Sequence, residues 1–220
     1  MCYAAVMVAT EPGLRERKKQ QTRLLILETA ARLFAERGFG SVTVAEIARA
    51  ADVSEVTVFN YFPSKEDLVF GRMEFFEETL IAAVRGREAG ESVLAAFLSP
   101  VLDGCKSLGV EENAERISRA GALINSSLAL QVREREVAAR YTQLLAQVLA
   151  EGTGMTPDDV ELQGVAGALM SVHRALVIYV RARALAGRRG LKLAAEARAQ
   201  ATRAFARLDG GLATYAIRRA

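Results

Sequence analysis

Tryptophan is absent from this 220-residue chain, and proline, cysteine and histidine are scarce, at four, two and one residues. With so few prolines and an abundance of Ala, Leu, Arg and Glu, helix is favoured nearly everywhere, and no β-rich stretch is present. The two cysteines, Cys2 and Cys105, lie far apart and match neither a disulfide framework nor a metal-ligand spacing, which suits a reducing cytoplasm. The start, MCYAAVMVA, holds an apolar run of only seven residues, Tyr3 to Ala9, with no basic residue before it. That is too short and wrongly flanked for a signal peptide or a membrane span. Residues 1–16 are therefore expected to form a disordered leader, with Met7 as an alternative start, and the protein to be cytoplasmic with no membrane partner.

Catalytic patterns are missing as well. There is no glycine-rich phosphate loop, no His-Glu metal pair, no G-x-S-x-G elbow and no Glu-x-x-His pattern of a di-iron bundle. The lone histidine, His173, falls mid-helix among apolar residues beside Arg174, a place that suits a packed, hydrogen-bonded core residue better than a base or ligand. No enzyme activity, cofactor or metal is expected.

An excess of one charge sign is lacking too, since the formal net charge is +3. Its distribution says more. From Arg15 to Arg23 five basic residues, including Lys18 and Lys19, face one acid, Glu16, and such an arm can neutralise phosphates. Residues 181–220 hold ten basic residues against Glu196 and Asp209. Spaced arginines of this kind fit a solvated helix face and helix C-termini, with a second DNA site as the alternative.

The richest local pattern is Thr43 to Leu68, TVAEIARAADVSEVTVFNYFPSKEDL. Thr43 and Glu46 have the spacing of a reciprocal capping box, so a helix starts at Val44. Ile47, Ala48 and Ala51 give it a narrow apolar face of small bulk. Asp52-Val53-Ser54 is the turn, Val53 plugs the angle between the helices, and Ser54 is a good N-cap for a short helix from Glu55 to Tyr61. Pro63 ends that helix, and Ser64 with Asp67 makes a second capping box for a helix beginning at Lys65. This is a helix-turn-helix, whose second helix enters the major groove and meets base edges with its N-terminal residues.

With Thr43, Ile47, Ala48, Ala51, Val53, Ser54, Thr57, Tyr61, Phe62, Lys65 and Leu68 in this order, behind the segment ARLFAERGF (Ala31 to Phe39), the chain resembles the tetracycline-repressor (TetR) family of bacterial transcription regulators. The likeness is tight over residues 17 to 70 and rests on helical character and length elsewhere. It implies that Thr43, Thr57, Tyr61 and Lys65 hold phosphates, with Ser54 at the cap, while Glu55, Val56 and Asn60 face base edges. Glu55 departs from an ordinary phosphate-facing position: it either accepts from cytosine N4 or is simply an acid in the first turn.

The remaining chain reads as helices between breaks. The first runs from Arg17 to Arg37, with Leu27, Ala30, Ala31 and Phe34 on one face and Gly38 as its stop. A long fourth helix spans Lys65 to about Arg87. Next come Glu91 to Leu108, which Pro100 should bend or divide, then Glu111 to Ser126 and Leu128 to Glu151. Thr156-Pro157-Asp158-Asp159 has the signals of an N-terminus, launching a helix to about Ala186, and the last runs from Leu191 to Leu208 before Gly210-Gly211 and a frayed tail.

An all-α protein is expected: residues 1–16 a leader, 17–63 a three-helix DNA-binding domain, 64–90 a connecting helix and 91–220 a larger helical domain. The resemblance implies that the last of these binds an effector and dimerises through the two terminal helices. Leu98, Leu102, Ile124, Tyr141, Leu145, Met170, His173 and Val177 are candidate pocket residues, with plain core packing as the alternative, and their apolar character suits a hydrophobic or amphipathic small molecule. The function expected is that of a ligand-responsive homodimeric repressor on a palindromic double-stranded operator. A transcriptional activator of the same family, or a sequence-nonspecific nucleoid protein, is the alternative.

Overall fold

The computed structural model describes residues 13–212; the expected leader up to Pro12 and the expected tail from residue 213 lie outside the described residues. Among these there are nine helices and no strand: α1 (Leu14–Arg37), α2 (Val44–Ala50), α3 (Glu55–Tyr61), α4 (Asp67–Arg85), α5 (Val93–Ser107), α6 (Glu111–Asn125), α7 (Leu128–Thr153), α8 (Val160–Leu185) and α9 (Gly190–Leu212). They form two compact units divided between Val69 and Phe70, inside α4.

In the first unit α1, α2 and α3 enclose a small core of Ile26, Leu27, Ala30, Phe34, Val42, Ile47, Ala48, Val58 and Phe62. Ala31, expected on this apolar face, is exposed instead; Ile26 and Leu33 take the space. Gly38, at φ 80°, ends α1 by donating its N–H to the Phe34 carbonyl, and the chain folds back so that Phe39 lies 5.3 Å from the Phe34 ring. A side chain with a Cβ is strained at that φ, which is why glycine serves there. α1 begins at Leu14 behind Gly13, three residues before the expected start.

The second unit stacks α5 on α9 and surrounds α8 with α6, α7 and α9. Burial from several sides explains why α8 is apolar on more than one face. By length and mean hydropathy (1.3 over its best 18 residues) α8 would pass as a membrane span, and a third of that stretch is buried against its neighbours. Two glycines permit close approaches here. A Cβ on Gly104 would stand 2.9 Å from the Phe76 ring, and one on Gly121 would stand 2.5 Å from the Arg181 side chain.

Boundaries differ from expectation where tertiary context or turn geometry overrides local signals. Pro100 lies at the middle of α5, where its missing N–H costs the helix one backbone bond, yet α5 runs unbroken across it. Ser64 and Asp67 do make their reciprocal cap, but the first turn is tight, with Leu68 N–H bonded to the Lys65 carbonyl, so α4 begins at Asp67 rather than Lys65. α8 is capped by Asp159, whose side chain accepts the Glu161 N–H; Thr156 closes a preceding turn by accepting the Asp159 N–H on its carbonyl. α9 runs through Gly210-Gly211 to Leu212, and α7 continues past Gly152 to an end at Gly154.

Candidate functional site

In the first unit each local device at the motif is closed by a neighbour a few residues away. Thr43 Oγ1 accepts the Glu46 N–H, and the Glu46 carboxylate accepts from the Thr43 N–H at 2.8 Å. Arg37 pairs with the other Glu46 oxygen at 2.8 Å and donates to the Ser41 carbonyl, tying the end of α1 to α2. These donors, the Thr43 backbone first, hold the Glu46 carboxyl down at about 2. In the turn Asp52 takes φ 53°, a left-handed conformation that aspartate tolerates better than most residues. Ser54 then caps α3 through the Thr57 N–H, with the two hydroxyls 2.8 Å apart.

α3 turns Val58 and the following Phe62 inward, half-buries Thr57 and Tyr61, and turns Glu55, Val56, Phe59 and Asn60 outward. Val56 is 68% exposed, and Glu55, Asn60 and Ser54 are open to solvent, as is Thr43 at the head of α2. Thr57 and Tyr61 are half-buried, the Tyr61 ring tilted against Phe62 at 6.4 Å. Phe59, 47% exposed on the same helix, belongs to this surface too. Sequence reasoning passed over it because an aromatic between Val58 and Phe62 reads as core. Lys18 and Lys19 are exposed on α1.

Lys65, expected at a phosphate, is engaged within its own unit. Its Nζ donates to the carbonyls of Phe39 at 3.0 Å and Val42 at 3.2 Å, and lies 4.3 Å from the Phe39 ring centroid. Two of its three donors are thus spent inside the unit, and the ammonium braces the loop between α1 and α2.

In the second unit the candidate pocket residues are not gathered into one place. Met170, His173 and Val177 meet in a cleft between α4, α7 and α8 that is also lined by Met73, Glu77, Glu134, Ala138, Arg174 and Ile178. Leu98, Leu102, Ile124, Tyr141 and Leu145 do not line it; Ile124, Tyr141 and Leu145 are buried in the packing between helices. The Tyr141 hydroxyl is 3.4 Å from the Glu74 carbonyl oxygen, and burial pushes it up to about 12. His173 lies between two rings, stacked on Phe76 at 5.5 Å and edge-on to Phe97 at 6.3 Å. Burial holds it neutral, with its ionisation pulled down to about 4, and its Nδ1 has no hydrogen-bond partner.

Glu77 is the residue sequence reasoning missed. It falls on the buried stripe of α4, between Phe70 and Ile81 at helical spacing, and an acid within such a stripe is the signal that could have revealed it. Burial, reinforced by the nearby Glu74, raises its carboxyl to about 8, and Oε2 has no partner. Its neighbours are paired: Arg140 with Glu74 at 2.6 Å, Arg181 with Glu134 at 2.5 Å. Among the described residues no cluster of three or more His, Cys, Asp or Glu could hold a metal ion. Cys105 is buried, which raises its thiol.

A capped helix-turn-helix that exposes the outer face of its second helix, followed in the chain by a helical bundle with a largely apolar cleft, defines a helical DNA-binding transcription regulator. The profile described as "Bacterial regulatory proteins, tetR family" matches residues 26–71, and that described as "MftR C-terminal domain" matches residues 91–187. The HTH-type transcriptional regulator TcmR of Streptomyces glaucescens is 32% identical over 155 residues, covering 67% of this chain and 67% of its own length. The nucleoid occlusion factor SlmA of Marinomonas is 30% identical over 137 residues, 61% of this chain and 68% of its own. Among solved structures, the fatty acid degradation regulator FadR of Bacillus halodurans shares the fold with a TM-score of 0.52 at 21% identity, over 89% of this chain and 97% of that one. The chain belongs to the TetR family of bacterial regulatory proteins.

Proposed function

We propose that this regulator is a cytoplasmic homodimeric repressor, released from a palindromic operator when a small amphipathic molecule binds its second unit. The observation that carries the reading is the outward face of α3, where Glu55, Val56 and Asn60 are exposed beside a Ser54 cap while Val58 is fully buried. Val58 and Phe62 lock the helix to its unit, so the exposed residues are presented rigidly to a groove. Thr43, Thr57 and Tyr61 supply hydroxyl or backbone donors to phosphate, Lys18 and Lys19 add charge from α1, and Lys65 contributes at most its third N–H. Residues 17–63 then read DNA, 64–90 connect, and 91–220 bind effector and partner.

Dimer formation is supported by a shallow open groove over α8 and α9, where Ala195, Ala199 and Thr202, set among the longer Glu196, Arg198 and Arg203, leave room for another helix pair to approach. Release follows from linkage: a ligand shifts the equilibrium only as far as it prefers a conformation whose two reading heads no longer match half-sites about 34–36 Å apart. α4 is the lever, since its first residues carry the Ser64–Asp67 cap and its middle lines the cleft.

Selection of genomic fragments by the purified protein tests this reading. It should return a two-fold symmetric sequence preferred by ~10³-fold or more over random duplex. Retention of fragments without any shared sequence would favour the sequence-nonspecific nucleoid-protein alternative. Reporter expression with the gene deleted separates repressor from activator.

A further inference from the structure

We infer that the cleft between α4, α7 and α8 receives the protonated amino group of an amphipathic amine, with Glu77 as its counter-ion and His173 Nδ1 as a second acceptor. This rests on the reading of the second unit as effector-binding and names the chemistry of the effector's head.

Two buried polar atoms without partners line one cleft. Glu77 is 6% exposed and its Oε2 is unsatisfied; His173 is 5% exposed and its Nδ1 is unsatisfied. A buried acceptor left unpaired is costly, so a ligand that donates to both recovers stability the free protein forgoes. Each can act as an acceptor: the carboxylate when ionised, and the neutral imidazole at Nδ1 when its proton is on Nε2. A group with two or three N–H donors and a positive charge answers both.

The charges around Glu77 favour a cation over an anion. On α4 itself stand Glu74 and Glu78; α7 brings Glu134 and Arg140; α8 brings His173, Arg174 and Arg181. Arg140 is engaged with Glu74 and Arg181 with Glu134, and His173 is neutral. Arg174 is exposed, where water and salt screen it. A carboxylate head would instead meet Glu77 and Glu134.

Size and shape agree. The cleft encloses about 30 Å³, room for roughly two waters and hence for an ammonium but not a ring. Beyond the head, Met73, Met170, Val177 and the half-exposed Ile178 offer an apolar track, and methionines adapt to variable tails.

Binding would transfer a proton. Near pH 7 the Glu77 carboxyl is mostly protonated, so the ammonium displaces its proton to buffer, and the carboxylate stays as counter-ion. From a value of about 8 the release is about 0.9 proton at pH 7, and affinity rises by up to about tenfold per pH unit from pH 6 towards 8.

The experiment is titration calorimetry of the full chain with n-octylamine, n-octanol and octanoate at pH 6, 7 and 8, in two buffers of different ionisation heat, with operator release followed in parallel. Octylamine stays protonated throughout that range. It should bind at least tenfold more tightly than the other two at pH 8, release close to one proton at pH 7, and lose both the advantage and the pH dependence in Glu77→Gln. Should that variant not fold, proton release by the unaltered protein decides alone. Equal binding of octanol or octanoate without proton release, or no binding of octylamine, overturns the inference. In the first of those cases, release of operator by octanol leaves the effector reading standing. Failure of the regulator reading shows separately, as ligand-free protein with no operator preference.

Discussion

The two units treat polar groups in opposite ways. Around the helix-turn-helix, Thr43 is closed by Glu46, Ser54 by Thr57, Ser64 by Asp67 and Lys65 by two carbonyls. In the bundle, a carboxyl oxygen and an imidazole nitrogen are buried and left open. A satisfied network rigidifies, whereas an unsatisfied buried group is a stored preference for whatever will pair with it. The contrast separates a surface that must hold its shape from a cleft that gains by changing its contents.

The sharpest way to break the comparison is to remove the rigidity of the first unit. Phe62 is 1% exposed and anchors the end of α3, so Phe62→Ala should cost about 3–5 kcal/mol and abolish operator binding. Thermal melting followed together with DNA binding checks it. A variant that keeps its melting temperature while losing DNA would mean that Phe62 touches the duplex rather than supports the helix.

Asn60→Ala leaves the scaffold intact and should relax preference at one position per half-site, costing about 1–3 kcal/mol there with the salt slope nearly unchanged. Tyr61→Ala, by contrast, should weaken all sequences alike. Binding to operator and scrambled duplex at several salt concentrations separates the two; equal weakening on both by Asn60→Ala would move base reading to Val56 or Glu55.

In the second unit the pH dependence of stability carries the signature of Glu77. Its folded value, about 8, is above the ordinary 4.5, so its contribution is fully present below 4.5 and is lost as pH rises through 8. His173 is depressed from 6.5 to about 4, so its contribution is present above 6.5 and is lost as pH falls through 4. Between pH 6.5 and 8 the slope from this pair therefore belongs to Glu77, at most about 1.4 kcal/mol per pH unit. Denaturant unfolding of Glu77→Gln should be flatter over that window and the variant more stable than the parent at pH 8. Parallel curves would place the carboxyl in contact with water.

The smallest effect is expected from the caps. Thr43→Ala should cost about 1 kcal/mol by opening the box at the head of α2. Glu46, depressed to about 2, contributes stability above 4.5 that is lost as pH falls towards 2, so Glu46→Gln should flatten the acid limb of the melting profile. An unchanged acid limb would leave the pairing with Arg37 and Thr43 without energetic weight.

Legibility in the sequence tracks the distance over which each feature is decided. The capping boxes, the α3 bounds from Glu55 to Tyr61 and the stop at Gly38 rest on bonds within four residues, and residue order shows them directly. Where a boundary went astray, at Thr156 against Asp159 or at Gly210-Gly211 inside α9, several adjacent residues carried competing signals, and the cap fell to Asp159 while α9 ran on to Leu212. Pocket residues were the least legible: Leu98, Leu102, Ile124, Tyr141 and Leu145 are as apolar as Met170 and Val177, and only helix rotation decides which of them line a cleft.

By itself the sequence determined the all-helical class and the helix-turn-helix with its α3 bounds from Glu55 to Tyr61, because helix propensity and capping act locally. The tertiary structure alone decided that Lys65 braces a loop 23 to 26 residues away. It also decided that Arg140 and Arg181 are engaged with Glu74 and Glu134 while Glu77 and His173 keep an open acceptor each. Charge pairing and desolvation depend on which helices meet, so which of the chain's twenty glutamates keeps an unpaired oxygen is decided only once its neighbours are in place.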